Sequence, residues 1–122
     1  MYAKYKDDVQ FFVVYIKEAH PAEGWAMKVS KRLKYIKDPA TVFERYQVAN
    51  TCVTALEIDI PCLIDDMENT TAYAYKGWPD RLYLVGKDGK IAYRGGPGPG
   101  GFRPLELEVM IQDEIERVDA AR

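Results

Sequence analysis

One histidine occurs in 122 residues, and the groups around it are the ones from which chemistry could be built. His20 sits two positions after Glu18 and five before Trp25, in the run Glu18-Ala19-His20-Pro21-Ala22-Glu23-Gly24-Trp25. An imidazole with an ordinary pKa of about 6.5 can hold or release a proton near neutrality. A carboxylate beside it can orient the ring and stabilise its cation. The pair therefore suits general acid–base work, with Trp25 either walling the pocket or packing its loop onto the core. The other candidates offer less. Cys52 and Cys62 fall in a helical and a strand pattern and read as small, inert, buried hydrophobes rather than nucleophiles. Asp65, Asp66 and Glu68 could hold a cation, but a helix cap and its dipole partners explain them more simply. Lys87-Asp88-Gly89-Lys90 is turn chemistry, and no function is read into the nine tyrosines. Gly95 to Gly101 lacks phosphate-cradle spacing and reads as a rigid loop that covers an edge or lines a pocket.

These residues must be positioned by alternating strands and helices. Residues 1–9 read as a short helix or helix remnant with Tyr2, Tyr5 and Val9 on one side. Phe11 to Ile16 is a continuous apolar run, as expected of a strand covered on both faces. Glu18 and His20 follow it, at the carboxyl end where open α/β sheets gather ligands. Asp38-Pro39 predicts a helix start, with Val42, Phe43, Tyr46, Ala49, Val53 and Leu56 as the apolar face. Ile60 to Ile64 is a second buried strand, and Asp65 or Asp66 caps a short helix that Gly77 stops. Arg81–Val85 and Lys90–Arg94 flank Lys87-Asp88-Gly89, a hairpin signal. Pro104 opens a last amphipathic helix carrying Leu105, Leu107, Val109, Met110, Ile115 and Val118.

The order α-β-α-β-α-β-β-α places a parallel second strand after a helical crossover, then an antiparallel hairpin and a closing helix. This is a single α/β domain over residues 1–122: a thioredoxin-like three-layer sandwich with a mixed sheet of about four strands. Its first strand and most of its first helix are expected to be missing. Trp78-Pro79, just before the hairpin, suits the proline that thioredoxin-like folds resemble one another in carrying as a cis peptide. An X–Pro bond permits that isomer at small cost.

Composition supports one globular domain. The chain is 48% hydrophobic and 30% charged, with a net charge of -2, and its pI is near 5.4. Nothing in that balance favours nucleic acid or an anionic membrane, and the Lys and Arg residues scatter among acids as on a solvated surface. No apolar run approaches the ~20 residues of a membrane span, and the N-terminus has no secretory apolar region. Two cysteines make no disulfide framework, so a reducing, cytoplasmic location is expected.

Taken together, the motifs resemble the iodothyronine deiodinase family, a selenoprotein branch of the thioredoxin-like fold. Tyr15-Ile16-Lys17-Glu18-Ala19-His20 and Glu23-Gly24-Trp25 are similar to the family's Tyr-Ile-Glu-Glu-Ala-His and Asp-Gly-Trp. Asp65, Met67, Asn69 and Tyr73, then Arg81-Leu82-Tyr83, fall where members carry Asp-x-Met-x-Asn and Glu-Arg-Leu-Tyr. Tyr93-x-Gly95-Gly96-x-Gly98-Pro99, followed by Phe102 and a helix, is a third block. The resemblance implies an oxidoreductase in which a selenocysteine or cysteine on the first helix accepts iodonium or does thiol chemistry. It further implies Glu18 and His20 as the catalytic proton-handling pair, with Trp25, Trp78 and Pro79 on the substrate side. The expected substrate is a small molecule or a thiol. An external thiol reductant would serve the complete enzyme, and no resident cofactor or metal is implied.

The chain departs from that pattern at three places. The nucleophile is not among residues 1–122. Lys37-Asp38-Pro39 stands where vertebrate members carry a second histidine. Pro97 stands where some members carry an arginine in the Gly/Pro loop, and proline cannot replace a charge-assisted bond to a carboxylate. These departures point to a substrate other than thyroid hormone and to a chain inactive as given. The alternative is a redox-dead thioredoxin-like module that binds or supports. Either way, loss of a neighbouring strand would expose backbone groups on Phe11–Ile16, so marginal stability or a homodimer is expected.

Overall fold

A computed structural model of the chain describes residues 1–17 and 39–121, and these residues form two compact units. One unit is Gln10–Lys76; the other joins Met1–Val9 to Gly77–Arg122. The described residues contain two sheets of two strands each, one parallel and one antiparallel, where the sequence suggested a single mixed sheet of about four. The molecule is mixed α/β.

In the first unit, β1 (Val13–Tyr15) pairs in parallel with β2 (Cys62–Ile64), Val14 opposite Leu63. Amide groups just outside the strands extend the ladder: Val13 donates to Pro61 O and Asp65 to Tyr15 O, both at 2.9 Å. The connection is α2 (Val42–Ala55), the crossover that a parallel pair requires. The helix starts later than Asp38-Pro39 suggested, because Thr41 and Glu44 make a better cap. Thr41 Oγ1 accepts from Glu44 N at 3.1 Å, and Glu44 Oε2 accepts from Ala40 N at 2.8 Å, a reciprocal arrangement close to the capping box. At its other end, Glu57 N donates to Thr54 O and Ile58 N to Val53 O, with Glu57 at φ 53°, which is the Schellman pattern without its usual glycine. Helix α2 packs on one side of β2. The opposite side is not covered as the apolar run implied: Phe12, Val14 and Leu63 are all exposed. Only a half-covered strand results, although its composition suits a fully covered one. The short α3 (Thr70–Tyr75) ends at Lys76, which itself takes the left-handed conformation expected at Gly77.

In the other unit, β3 (Tyr83–Val85) and β4 (Ile91–Arg94) form the expected hairpin, with a register shift between Leu84 and Val85. Gly89 sits at φ 82°, and Gly86 N donates to Lys90 O at 2.8 Å. A left-handed residue is what this turn needs, and Gly supplies it without a steric cost. Helix α4 (Pro104–Ala120) begins with Pro104 in its first turn and packs Leu107 and Ile111 toward the hairpin's buried Leu84. The short α1 (Tyr2–Tyr5) docks on α4 through buried Tyr5. The Tyr5 hydroxyl accepts from Gln112 Nε2 at 2.7 Å and donates to Glu108 Oε1 at 3.4 Å. No helix among the described residues is long and apolar enough to cross a membrane.

Candidate functional site

Glu18, His20 and Trp25 lie outside the described residues, so the geometry concerns what surrounds their point of attachment and the separate corner at Trp78-Pro79. In the Gln10–Lys76 unit, strands that run the same way deliver their following residues to the same end. Ile16 and Lys17 leave β1 there, and Asp65 to Asn69 leave β2. The Lys17 ammonium stands 5.7 Å from the Tyr73 ring centroid, within cation–π range.

The segment after β2 is fixed by carboxylates. Asp65 is 3% exposed, and its Oδ1 accepts from Asp66 N and Thr71 N while Oδ2 accepts from Ala72 N, each at 2.9 Å. Asp66 takes Thr70 N at 2.9 Å and the Thr70 hydroxyl at 2.6 Å. The Thr70 hydroxyl and amide bonds hold the Asp66 carboxyl below its ordinary range, with the Arg45 charge adding to them against the effect of burial. The sequence suggested Asp65 or Asp66 as the cap of this helix; both accept from its first amides, four to seven residues downstream, while Asn69 takes the cap position. Asn69, the residue before the helix, adopts φ 59° and ψ 39° and makes no side-chain cap of its own. Left-handed backbone is more tolerable for Asn than for most residues.

Arg45 was not singled out in the sequence, yet it is central here. At 2% exposed it is among the most buried side chains, and its Nη1 donates to Asp66 O at 2.6 Å and its Nη2 to Asn69 Oδ1 at 3.1 Å. Its spacing places Arg45 one turn before buried Ala49, whereas Val42, Phe43, Tyr46 and Leu56 of the expected apolar face are exposed. The residues that resemble Asp-x-Met-x-Asn are therefore, in this chain, a helix cap and a guanidinium clamp. Among the described residues no group of three or more His, Cys, Asp or Glu side chains could hold a metal ion.

Neither cysteine is arranged as a nucleophile. Neither is in a disulfide, and both are half-buried rather than fully buried. Cys52 lies inside α2, away from its first turn. The Cys62 thiol points at Leu63 O at 3.5 Å, and burial pushes its pKa up, away from the thiolate.

The other unit carries the Trp78-Pro79 corner, whose peptide bond is cis, as is Gly98-Pro99. Trp78 is 47% exposed. The Gly/Pro loop is stitched to this corner: Gly95 N donates to Leu82 O at 2.9 Å, and Gly98 N to Asp80 O at 3.0 Å. A Cβ on Gly98 would collide with the Asp80 carboxylate. Arg94 Nε donates to the Tyr83 hydroxyl at 3.2 Å. Burial alone would raise the Tyr83 phenol, but hydrogen bonds from Arg81 and Arg94 and their positive charge bring it below the ordinary tyrosine value. A shallow cleft of about 390 Å³ lies between the hairpin and α4, lined by Asp88, Lys90, Ile91, Ala92, Met110, Asp113, Glu114 and Arg117. It contains none of the residues singled out for chemistry, and its Glu114–Arg117 pair, at 2.6 Å, is already satisfied.

A family model described as iodothyronine deiodinase matches residues 1–115. Human thyroxine 5-deiodinase is 33% identical over 122 residues, covering 98% of this chain and 38% of the relative. The protein of the same name from Sparus aurata is 36% identical over 114 residues, covering 90% and 40% respectively. The chain spans about two fifths of the length of these curated relatives.

Proposed function

Because this chain belongs to the iodothyronine deiodinase family, we propose that it serves a deiodinase-type thiol or selenol oxidoreductase of thioredoxin-like fold. The observation that carries this reading is the family match over residues 1–115, which takes in Glu18, His20 and the Asp80-Arg81-Leu82-Tyr83 run. The fold supports it: a parallel β1–β2 pair joined through α2, then a hairpin, then a closing helix. In the proposed reaction a selenolate or thiolate attacks the iodine of an aryl iodide. The carbon–iodine bond breaks, its electron pair stays on carbon, and the carbon takes a proton supplied through His20, with Glu18 orienting the ring. An external thiol then reduces the selenium– or sulfur–iodine bond, iodide leaves, and a disulfide or selenosulfide forms. Trp25, Trp78 and Pro79 are the residues assigned to the substrate. Pro97 in the Gly/Pro loop argues for a natural substrate other than thyroid hormone.

Cys52 and Cys62 are not that nucleophile, the first being inside a helix and the second pushed toward its protonated form. The attacking atom is therefore assigned to a position outside residues 1–122, and on this reading residues 1–122 alone are inactive. We place the chain in a reducing, cytoplasmic setting, in keeping with two cysteines that form no disulfide. The same two cysteines favour the second reading, a redox-dead binding or structural module.

Iodide release from an aryl iodide with excess dithiothreitol separates the two. The 122-residue chain should release none. The chain preceded by its own upstream reading frame, if that encodes a Cys or selenocysteine in a strand–turn–helix pattern, should turn over. In that protein His20→Ala should lower the rate by about 10²-fold or more. Turnover by the 122-residue chain that survives Cys52→Ala and Cys62→Ala would overturn the assignment of the nucleophile. An extended protein with the nucleophile and no activity would favour the binding module.

A further inference from the structure

Arg81 follows the Trp78-Pro79 corner by two residues, and its guanidinium is turned inward. Its Nε and Nη1 are closed off from solvent, and neither meets a hydrogen-bond acceptor among the described residues. Those two nitrogens carry three of the five N–H donors of a guanidinium. Ion pairs among the described residues join Lys4 to Glu108, Arg103 to Glu106 and Arg117 to Glu114, and none includes Arg81 or Arg94. The neighbouring carboxylate, Asp80, covers Gly98 instead. Arg94 uses its Nε on the Tyr83 hydroxyl. Two guanidinium groups therefore converge on one phenol, and among the described residues no acid pairs with either.

Arg81 as a whole is half-buried, but guanidinium nitrogens shut off from water without an acceptor are unfavourable, and a guanidinium is matched best by a planar carboxylate. We propose that Arg81 anchors an oxyanion site at the Pro79–Tyr83 corner, taking the carboxylate of a small aromatic acid. The half-exposed indole of Trp78, three residues before Arg81, supplies an aromatic face for the rest of such a ligand. That the acid is a substrate rests on the oxidoreductase reading above; the anion site itself does not, and its test needs no turnover.

Phenylacetate and the uncharged phenylacetamide, titrated into the 122-residue chain by calorimetry, provide the probes. Phenylacetate should bind about tenfold or more tighter than the amide. Arg81→Gln should abolish that difference, and Arg81→Lys should shrink it by losing the guanidinium geometry. Arg103→Gln, which removes only an exposed ion pair with Glu106, should leave it unchanged. In the unaltered protein, the Arg81 Nε–H resonance should move on adding phenylacetate, a readout that survives any failure of the variants to fold. Equal affinity for acid and amide, full phenylacetate binding by Arg81→Gln, or an unmoved Arg81 resonance would each overturn the proposal. Tighter binding of phenyl phosphate than of phenylacetate would overturn its assignment to a carboxylate.

Discussion

Arg45 Nη1 donates to the carbonyl oxygen of Asp66 at 2.6 Å, tying the middle of α2 to the loop that leads into α3. With Nη2 on Asn69 Oδ1, one side chain holds the end of the sheet from which Lys17 also departs. Truncation would leave a buried carbonyl and an amide oxygen without donors. Arg45→Ala should destabilise the chain by about 2–4 kcal/mol in urea unfolding. Arg45→Lys should recover little, because an ammonium cannot bridge both acceptors in one plane. A loss below about 0.5 kcal/mol for Arg45→Ala would mean that the clamp is dispensable.

Asp65 accepts from three backbone amides while almost wholly buried. Asp65→Ala should cost about 2–3 kcal/mol and release α3 first. Faster hydrogen exchange at Thr71 and Ala72 than across β1 and β2 would show this. Uniform exchange in the variant would count against it.

Tyr83 should titrate below the ordinary tyrosine value. Its folded pKa is lowered, so ionisation favours the native state and adds stability as pH rises through that value toward the ordinary tyrosine range. Ultraviolet difference titration of the chain and of Tyr83→Phe would isolate its curve. Arg94→Gln should move it to higher pH.

At the acid end the sign is the same, because these groups too are depressed in the folded chain. Asp66 is depressed chiefly by Thr70, and Glu114 chiefly by its hydrogen bond from Arg117. Their contribution is complete above the ordinary carboxylate pKa and is lost as pH falls through the depressed folded values. Thermal midpoints should therefore drop most steeply in strongly acidic buffer, and Asp66→Asn should flatten that part of the profile. An unchanged slope in the variant would remove Asp66 from the account.

Much of this architecture was legible because local signals agreed with one another. Pro104 and the spacing of Leu107 and Ile111 mark α4, and Lys87-Asp88-Gly89 marks the hairpin. The start of α2 was misplaced because two rival caps lie close together, and only Thr41 and Glu44 can satisfy each other. Phe11 to Ile16 reads as doubly covered, since a sequence run records the preference of side chains and not what lies above them. Arg45 escaped notice because an arginine among acids looks like surface, and burial of a guanidinium depends on acceptors distant in sequence. The acid–base pair itself, Glu18 and His20, rests on the sequence resemblance.

Gly101 shows how closely the Gly/Pro loop folds on itself: a Cβ there would stand 2.6 Å from Gly96 Cα and 2.7 Å from Gly96 O. Backbone cannot yield as a side-chain tip can, so Gly101→Ala should cost about 1–3 kcal/mol. Gly100, with open space around it, should accept alanine with little loss.

All seven residues from 95 to 101 are glycine or proline, a make-up normally chosen for tethers. Fastened to Leu82 and Asp80, with Gly101 N bonded back to Pro97 O at 2.9 Å, the stretch behaves instead as a bracket. Proteases should spare it, and an epitope spliced into it should cripple the protein. The same epitope placed at the exposed Lys87–Asp88 tip should be carried without harm.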